Sequence, residues 1–349
     1  MTAKLPSIRT VASRAGVSTA TVSNVLNARR SVAPELAARV HAAVAELGYI
    51  ADVGASRLRS RRSTVAGVVV PDLGNPFFGE FVAALERATR HDGYELLIVS
   101  SGDDPAQEAA RLRTLLTWRP AGLVVIPCGA EIGGIAAAAA ARVPLVAADR
   151  FPAGPAMDVV AVDNEAAAAE VTEHLIAGGR RHILVACASL TIGNVQERCA
   201  GIRRAAAGRA EVELLEVGYT LADSRARLAE RLRHGLPPDA LFTLNNVATL
   251  GALGAVAEAG LRVPQDVALA GFDDEAWMRA VSPPLTAVRQ PVEALALEAW
   301  GRLKARIGGD ASPPHQVRLA CTLEVRDSSA SAARSADTAA LGRWSQARA

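Results

Sequence analysis

Carboxylate, amide, guanidinium and aromatic side chains recur just past apolar runs of strand length in this 349-residue chain. Asn75 with Phe77 and Phe78 follows the first such run. Asp149 and Arg150 follow VPLVAA, Asn194 and Arg198 follow ILVACA, and Tyr219 follows LLEVG. Asn245 and Asn246 follow ALFTL, and Asp273, Asp274 and Trp277 follow VALAGF. Asp and Arg can each hold two vicinal hydroxyls while Phe or Trp packs on the apolar face of a sugar ring, so the inventory fits a carbohydrate. Other roles stand beside this one: Arg198 at a helix start suits the surface, Asp273 suits a cap for the turn at 275–280, and Trp277 suits a core. Chemistry of other kinds lacks its usual loops. No GxGxxG follows a strand, and neither GxxxxGK[ST] nor GxSxG occurs, so the chain reads as no enzyme, with no catalytic residue and no cofactor. Six scattered histidines supply no metal spacing. Cys128, Cys187, Cys199 and Cys321 form no CxxC pair and read as reduced, mostly buried thiols.

A second constellation lies near the start, in TVASRAGVSTATVSNVLN at residues 10–27. Thr10 suits a helix cap, Val11 and Ala15 share an apolar face, and Gly16 supplies a tight bend. Ser18 then suits a second cap, and Val22, Val25 and Leu26 fall at helical spacing while Thr21, Ser23 and Asn24 stay polar. This is a helix-turn-helix pattern, whose second helix would offer its first residues to the DNA major groove. A third helix runs from Pro34 to a stop at Gly48. Residues 49–63 are too polar for a core and read as a linker.

The elements that must position the first constellation follow from residue 64 onward. Strand-length apolar runs at 65–70, 95–100, 122–126, 143–148 and 159–162 alternate with helical stretches at 78–91, 105–117 and 131–141. A second half repeats the pattern, with strands at 183–186, 213–217, 240–244 and 267–271 and helices at 165–176, 195–207, 222–233, 247–259 and 291–307. Such alternation makes parallel sheets covered on both faces, and two halves make a cleft between doubly wound lobes. The fold class expected is therefore an all-α helix-turn-helix headpiece followed by an α/β core resembling periplasmic binding proteins. Residues 328–349, rich in Ala, Ser and Arg, read as a disordered tail.

Charge separates the two parts. Residues 1–63 carry ten Lys or Arg against three acids, whereas the remainder carries 28 against 33, so the overall +2 hides a basic head on an acidic body. A polyanion partner for the head alone suits this balance. The start has no apolar run of signal-peptide length and no stretch is long enough to span a bilayer, so the expected location is the cytoplasm, at the nucleoid, with no membrane partner.

The words AGVS, ATVSNVLN, ELGYI, RLRSRRS, GVVVPDLGNPFF and GLRVPQDVALAGFDD, with the segment around Arg198, resemble the lactose/galactose-repressor family of bacterial transcription regulators over about residues 8–327. The resemblance implies a homodimeric regulator, most simply a repressor, that binds a palindromic double-stranded operator under control of a small effector, a sugar by preference. It implies three domains: a DNA-binding head at 1–48, a hinge at 49–63 and an effector-binding and dimerisation core at 64–327. In that core one lobe is formed by 64–162 and 290–319, the other by 163–289 and 320–327. Thr19, Ala20 and Asn24 match base-reading positions, and Thr10, Ser18, Thr21, Ser23 and Asn27 are candidates for the remaining DNA contacts. Leu58 matches a leucine that wedges into the minor groove, flanked by Arg57 and Arg59. Arg198 and Asp273 match effector-binding positions, and Phe78, Asp149 and Asn246 match pocket positions, the last being Asp in most relatives. The rest of the expected effector set is Asn75, Phe77, Arg150, Asn194, Tyr219 and Trp277. Ala33 stands where a capping Ser or Thr is usual, and Gly54 and Asp52 also depart from the pattern; the linker is expected to be disordered without DNA. Arg150 and Ile192 differ from a purine-binding relative, which favours sugar over purine. A sugar-binding protein or an enzyme on the same scaffold is the alternative from another class.

Overall fold

The computed structural model describes residues 6–26, 31–49, 63–129, 131–152, 157–234 and 236–331. Its two compact units divide between Ser63 and Thr64. The expected Asn27, Arg57, Leu58 and Arg59, most of the linker, and the tail from 332 lie outside the described residues.

The first unit holds helices α1 (Ile8–Ala15), α2 (Thr19–Leu26) and α3 (Pro34–Leu47). Ser7, not Thr10, caps α1: its hydroxyl accepts the Thr10 N–H at 3.3 Å, while Thr10 Oγ1 accepts the Ser7 N–H at 2.6 Å. Sequence reasoning placed the cap three residues late because Ser and Thr serve equally at either end of such a reciprocal box. Gly16 ends the helix at φ 64°, a left-handed turn glycine adopts without strain. Ser18 Oγ accepts the Thr21 N–H at 3.1 Å and starts α2. Val11, Ala12, Ala15, Val22, Val40 and Ala43 form the small core. The start of α3 has Pro34 in its first turn and no side-chain cap at Ala33.

The second unit contains two six-stranded sheets. The first uses β1 (Val65–Val70), β2 (Glu95–Ser100), β3 (Gly122–Val125), β4 (Leu145–Ala148), β5 (Asp158–Val162) and β11 (Gln316–Leu319), in the order β11-β5-β4-β3-β1-β2. The second uses β6 (His182–Cys187), β7 (Glu211–Glu216), β8 (Ala240–Thr243), β9 (Ala268–Phe272), β10 (Thr286–Arg289) and β12 (Thr322–Glu324), in the order β12-β10-β9-β8-β6-β7. All pairings are parallel except β10 with β12. Strand order is the same in both, so β4 and β9 occupy equivalent slots, as do β1 and β6. Each lobe has a switch point where the order reverses, beside β1 and beside β6, and a crevice opens there at the carboxyl ends of the strands.

Among the described residues eight helices cover the sheets: α4 (Pro76–His91), α5 (Pro105–Thr117), α6 (Ile135–Ala140), α7 (Asn164–Ala177), α8 (Gly193–Ala206), α9 (Leu221–Arg233), α10 (Asn246–Glu258) and α11 (Val292–Ile307). The chain changes sheet between β5 and α7, between β10 and α11, and between β11 and β12. The strands β10, β11 and β12 were not anticipated, because three or four residues mixing charge with apolar side chains carry little periodicity. Helix α6 starts at Ile135 and not at 131, since Gly133 and Gly134 intervene and Gly134 adopts φ 83°.

The tail expected from residue 328 does not begin there. Ser328 and Ser329 are buried: Ser328 Oγ accepts the Thr286 N–H at 2.8 Å and donates to Leu269 O at 2.6 Å, and Ser329 Oγ meets His174 Nε2 at 2.7 Å. Short hydroxyls here satisfy backbone groups at the base of the second sheet, a use that composition cannot reveal.

Helices α7 and α8 cross at Gly201, where an added Cβ would collide with the Glu165 carbonyl oxygen. Backbone cannot yield as a side chain can. Gly201→Ala should lower stability by about 1–3 kcal/mol, read as an earlier urea midpoint; an unchanged midpoint would contradict the packing described.

Candidate functional site

The crevice between the sheets holds a cavity with about 430 Å³ of empty space, part of it open to solvent. Its walls include Asn75, Phe77, Phe78, Asp149, Arg150, Asn194, Arg198 and Asp273, all anticipated from their position past strand ends. Ala188, Ile192, Val195, Leu244, Asn245 and Gln290 complete it. Gln290 was noted only as a crossing point of the chain. Its place after β10 is the signal that would have found it, had that short strand been legible.

Three anticipated residues stand elsewhere. Trp277 packs against the core of the second lobe. Tyr219 is 36% exposed and lies near enough to Arg150 to feel its charge. Asn246 faces sideways: its amide exchanges two hydrogen bonds with Asn75 across the cleft, Nδ2 to Asn75 Oδ1 at 2.8 Å and Oδ1 from Asn75 Nδ2 at 3.2 Å. A second tie between lobes joins Arg318 on β11 to Glu197 on α8 at 2.9 Å. The lobes also touch at Gly193, where a Cβ would lie 2.6 Å from the Phe151 carbonyl oxygen.

Backbone geometry aims the two acids. Asp149 follows β4 at φ 57° and Asp273 follows β9 at φ 70°, so equivalent strands of the two lobes both end in a left-handed aspartate. An L-residue with a short acceptor tolerates this region, and the kink turns its carboxylate off the strand line into the crevice. Arg198, on α8, is buried with them. Its Nε donates to Asn164 Oδ1 at 2.9 Å, its Nη1 to Leu244 O at 2.6 Å, and its guanidinium lies 3.5 Å from the Phe272 ring centre. Arg150 is held by Asp103 at 2.6 Å, beside the Phe78 ring.

Electrostatics follow from this enclosure. Burial pushes Asp149 up to about 6; Arg198 and Arg150 oppose the shift, and Asp273 adds to it. Burial likewise raises Asp273, against Arg198 and the Gln290 amide. Buried acceptor atoms of Asp149, Asn194 and Gln290 have no hydrogen-bond partner within the protein. Groups of this kind, converging on a cavity, fit a ligand that supplies the missing bonds.

In the head, Ser18, Thr19 and Ala20 are exposed at the amino end of α2, and Thr21, Ser23 and Asn24 are half-buried. The Thr10 hydroxyl is engaged in the capping box, donating to Ser7 O at 2.7 Å. Among the described residues no cluster of His, Cys, Asp and Glu could hold a metal, and no helix is long and apolar enough to cross a membrane. Cys128, Cys187 and Cys199 are buried free thiols, and Cys321 is half-buried.

Residues 7–52 match the family model of bacterial regulatory proteins, lacI family, and residues 172–329 match that of a periplasmic binding protein-like domain. The HTH-type transcriptional regulator PtxS of Pseudomonas plecoglossicida is 33% identical over 325 residues, covering 92% of this chain and 95% of that protein. Among solved structures, a lac repressor dimer bound to operator and the anti-inducer ONPF aligns with TM-score 0.81 at 26% identity, over 94% of this chain and 100% of that one. A complex of the transcriptional regulator CelR with cellobiose aligns with TM-score 0.71 at 28% identity, over 93% and 99%.

Because its carboxyl is raised from 3.8 to about 6, Asp149 binds its proton more tightly folded than unfolded. Its contribution to stability is therefore lost as pH rises from about 4 to about 6. Asp149→Asn, which stays neutral, should be more stable than the wild type at pH 7.5 by on the order of 2–3 kcal/mol. That advantage should shrink toward pH 4 in urea titrations. A difference independent of pH would contradict the buried carboxylate.

Proposed function

Since this chain belongs to the lacI family of bacterial regulatory proteins, and is thus a sequence-specific DNA-binding regulator of transcription and no enzyme, we propose that it works as a homodimeric repressor controlled by a small-molecule effector, a sugar by class. The observation that carries the effector half is the cavity itself: two buried aspartates from equivalent strands, one buried arginine, and acceptors left unpaired. The complexes of the lac repressor with operator and of CelR with cellobiose support the reading by analogy.

In this reading the chain divides into a head at 1–48, a hinge at 49–63 and an effector core from 64. Its place of work is the nucleoid. Thr19, Ala20 and Asn24 read base edges from the amino end of α2, with Asn24 suited to the two-pronged pairing with adenine. Ser18, Thr21, Ser23 and Asn27 approach the phosphates, and Thr10 does so through the backbone turn that its hydroxyl fixes. Leu58, with Arg57 and Arg59, takes the minor groove. Arg198, Asp149 and Asp273 hold the effector, with Asn75, Asn194 and Arg150 around it and Phe77 and Phe78 as its apolar wall. Asn246 contributes through its amide pair with Asn75, which holds the lobes closed, while Tyr219 and Trp277 lie at the periphery. Ligand bound between lobes favours closure and biases the spacing of the two hinges. It shifts operator affinity only by its own difference in affinity for the two states, typically 1–3 kcal/mol.

The full chain should enrich a palindrome from random duplex DNA, with affinity falling steeply as salt rises. Leu58→Ala should weaken binding to that palindrome by about tenfold or more while binding to random duplex changes little. An unchanged ratio of specific to nonspecific affinity would remove Leu58 from the interface, and failure to enrich any symmetric site would overturn the proposal.

A further inference from the structure

The polar groups around the cavity are sorted by hydrogen-bonding type. Gln290 Nε2 donates to Asp273 Oδ1 at 2.6 Å, and the Asn194 side chain is hydrogen-bonded to Asp149. Only the NH₂ end of an amide can serve a carboxylate, so both amides are fixed in one orientation by their neighbours, and neither can be flipped without facing oxygen to oxygen. One N–H of each amide is thereby used inside the protein, and each amide oxygen is turned away from its carboxylate. Left without a partner among the buried atoms of this lining are Asp149 Oδ1, Asn194 Oδ1 and Gln290 Oε1, three acceptors. An unpaired buried acceptor is costly, and a ligand hydrogen is what satisfies it.

The cations around the cavity are occupied as well. Arg150 forms its ion pair with Asp103 at 2.6 Å, with both side chains mostly buried. Arg198 gives Nε to Asn164 and Nη1 to Leu244 O, so each of its two paired edges already has one donor engaged. Asp149 and Asp273 both face the space an incoming ligand must enter. Once the Arg150 charge is offset by Asp103, two carboxylates stand against one guanidinium, so the lining repels an anion. Such repulsion works as specificity, because it costs a wrong ligand more than a right one gains. Phe78, Ile192, Val195 and Leu244 supply apolar wall, beside Asn75 and Asn245. A sugar ring with C–H faces for these side chains and hydroxyls for the acceptors matches both halves of the lining.

We infer that the cleft selects a neutral polyhydroxylated ligand, an unmodified sugar or polyol giving at least three hydroxyl hydrogens to Asp149, Asn194 and Gln290, and that it rejects the acid and phosphate forms of the same carbon skeleton. The inference rests on the reading of the cleft as an effector site and narrows it by charge. Carboxylates and phosphates bring acceptors to acceptors and negative charge to negative charge.

The test uses the full chain at pH 7.5, thermal shift followed by titration calorimetry. One panel holds the common aldohexoses, ketohexoses, pentoses, hexitols and cellobiose; the other holds D-gluconate, D-glucuronate, D-galacturonate and the hexose 6-phosphates. A neutral member should bind, and its acid or phosphate counterpart should bind at least about tenfold more weakly. Asp149→Asn, which removes the repelling charge, should narrow that ratio. Gln290→Leu should weaken the neutral ligand by about tenfold. An acid or phosphate that binds as tightly as its neutral counterpart would overturn the inference while leaving the cleft an effector site. Binding by no member of either panel would overturn both.

Discussion

Asp149 and Asp273, buried against the single guanidinium of Arg198, set the terms for the rest of the core. Three charged groups removed from water are costly, and a fold keeps such a group only where something returns the lost hydration. Here the return within the protein is partial. Gln290 and Asn194 reach the carboxylates, and Asn164 and the Leu244 carbonyl hold the arginine, but acceptors remain unserved. The cleft is thus under-satisfied by itself, and a ligand that completes the network gains what the folding chain gave up. Those groups come from both lobes, Asp149 from the first and Asn194, Arg198 and Asp273 from the second.

Duplication of one sheet topology makes the arrangement possible. Equivalent strands β4 and β9 each end in an aspartate of positive φ, so one local geometry used twice produces a pair of carboxylates facing a common space. The last strands are exchanged along the chain, β11 closing the first sheet and β12 the second. Three connections therefore join the lobes. Close approach at Gly193 and the Asn75–Asn246 amide pair mark where the lobes meet.

Much of this was legible in the residues. Long apolar runs gave β1 and β6, buried on both faces, because a covered parallel strand needs no alternation to be recognised, and also β2, a half-exposed edge strand. Asp149, Arg198 and Asp273 were legible by position, since polar groups past such runs point into the crevice of an open α/β sheet. Other features depended on tertiary context. Gln290 follows a four-residue strand whose hydrophobic pattern is too short to read. Trp277 carries the right chemistry for a sugar wall, yet it packs, half-buried, against the core of its own lobe. Ser328 and Ser329 look like tail by composition and are fixed by partners far away in sequence, Leu269, Thr286 and His174. Thr10 and Ser7 form one box, and which of them is the cap is settled by backbone dihedral angles rather than by residue type.

A regulator of this design has one thermodynamic signature that neither half can show alone. If effector and operator bias the same pair of states, each must change the affinity of the other by the same factor. The direct measurement is a closed cycle on the full chain: operator affinity with and without saturating effector, and effector affinity with and without saturating operator, at one salt concentration and pH. Two factors that are equal and differ from one by about fivefold or more are the predicted result. Two factors of one, with both ligands bound, would show a reader and a sensor that do not communicate, and would contradict the account.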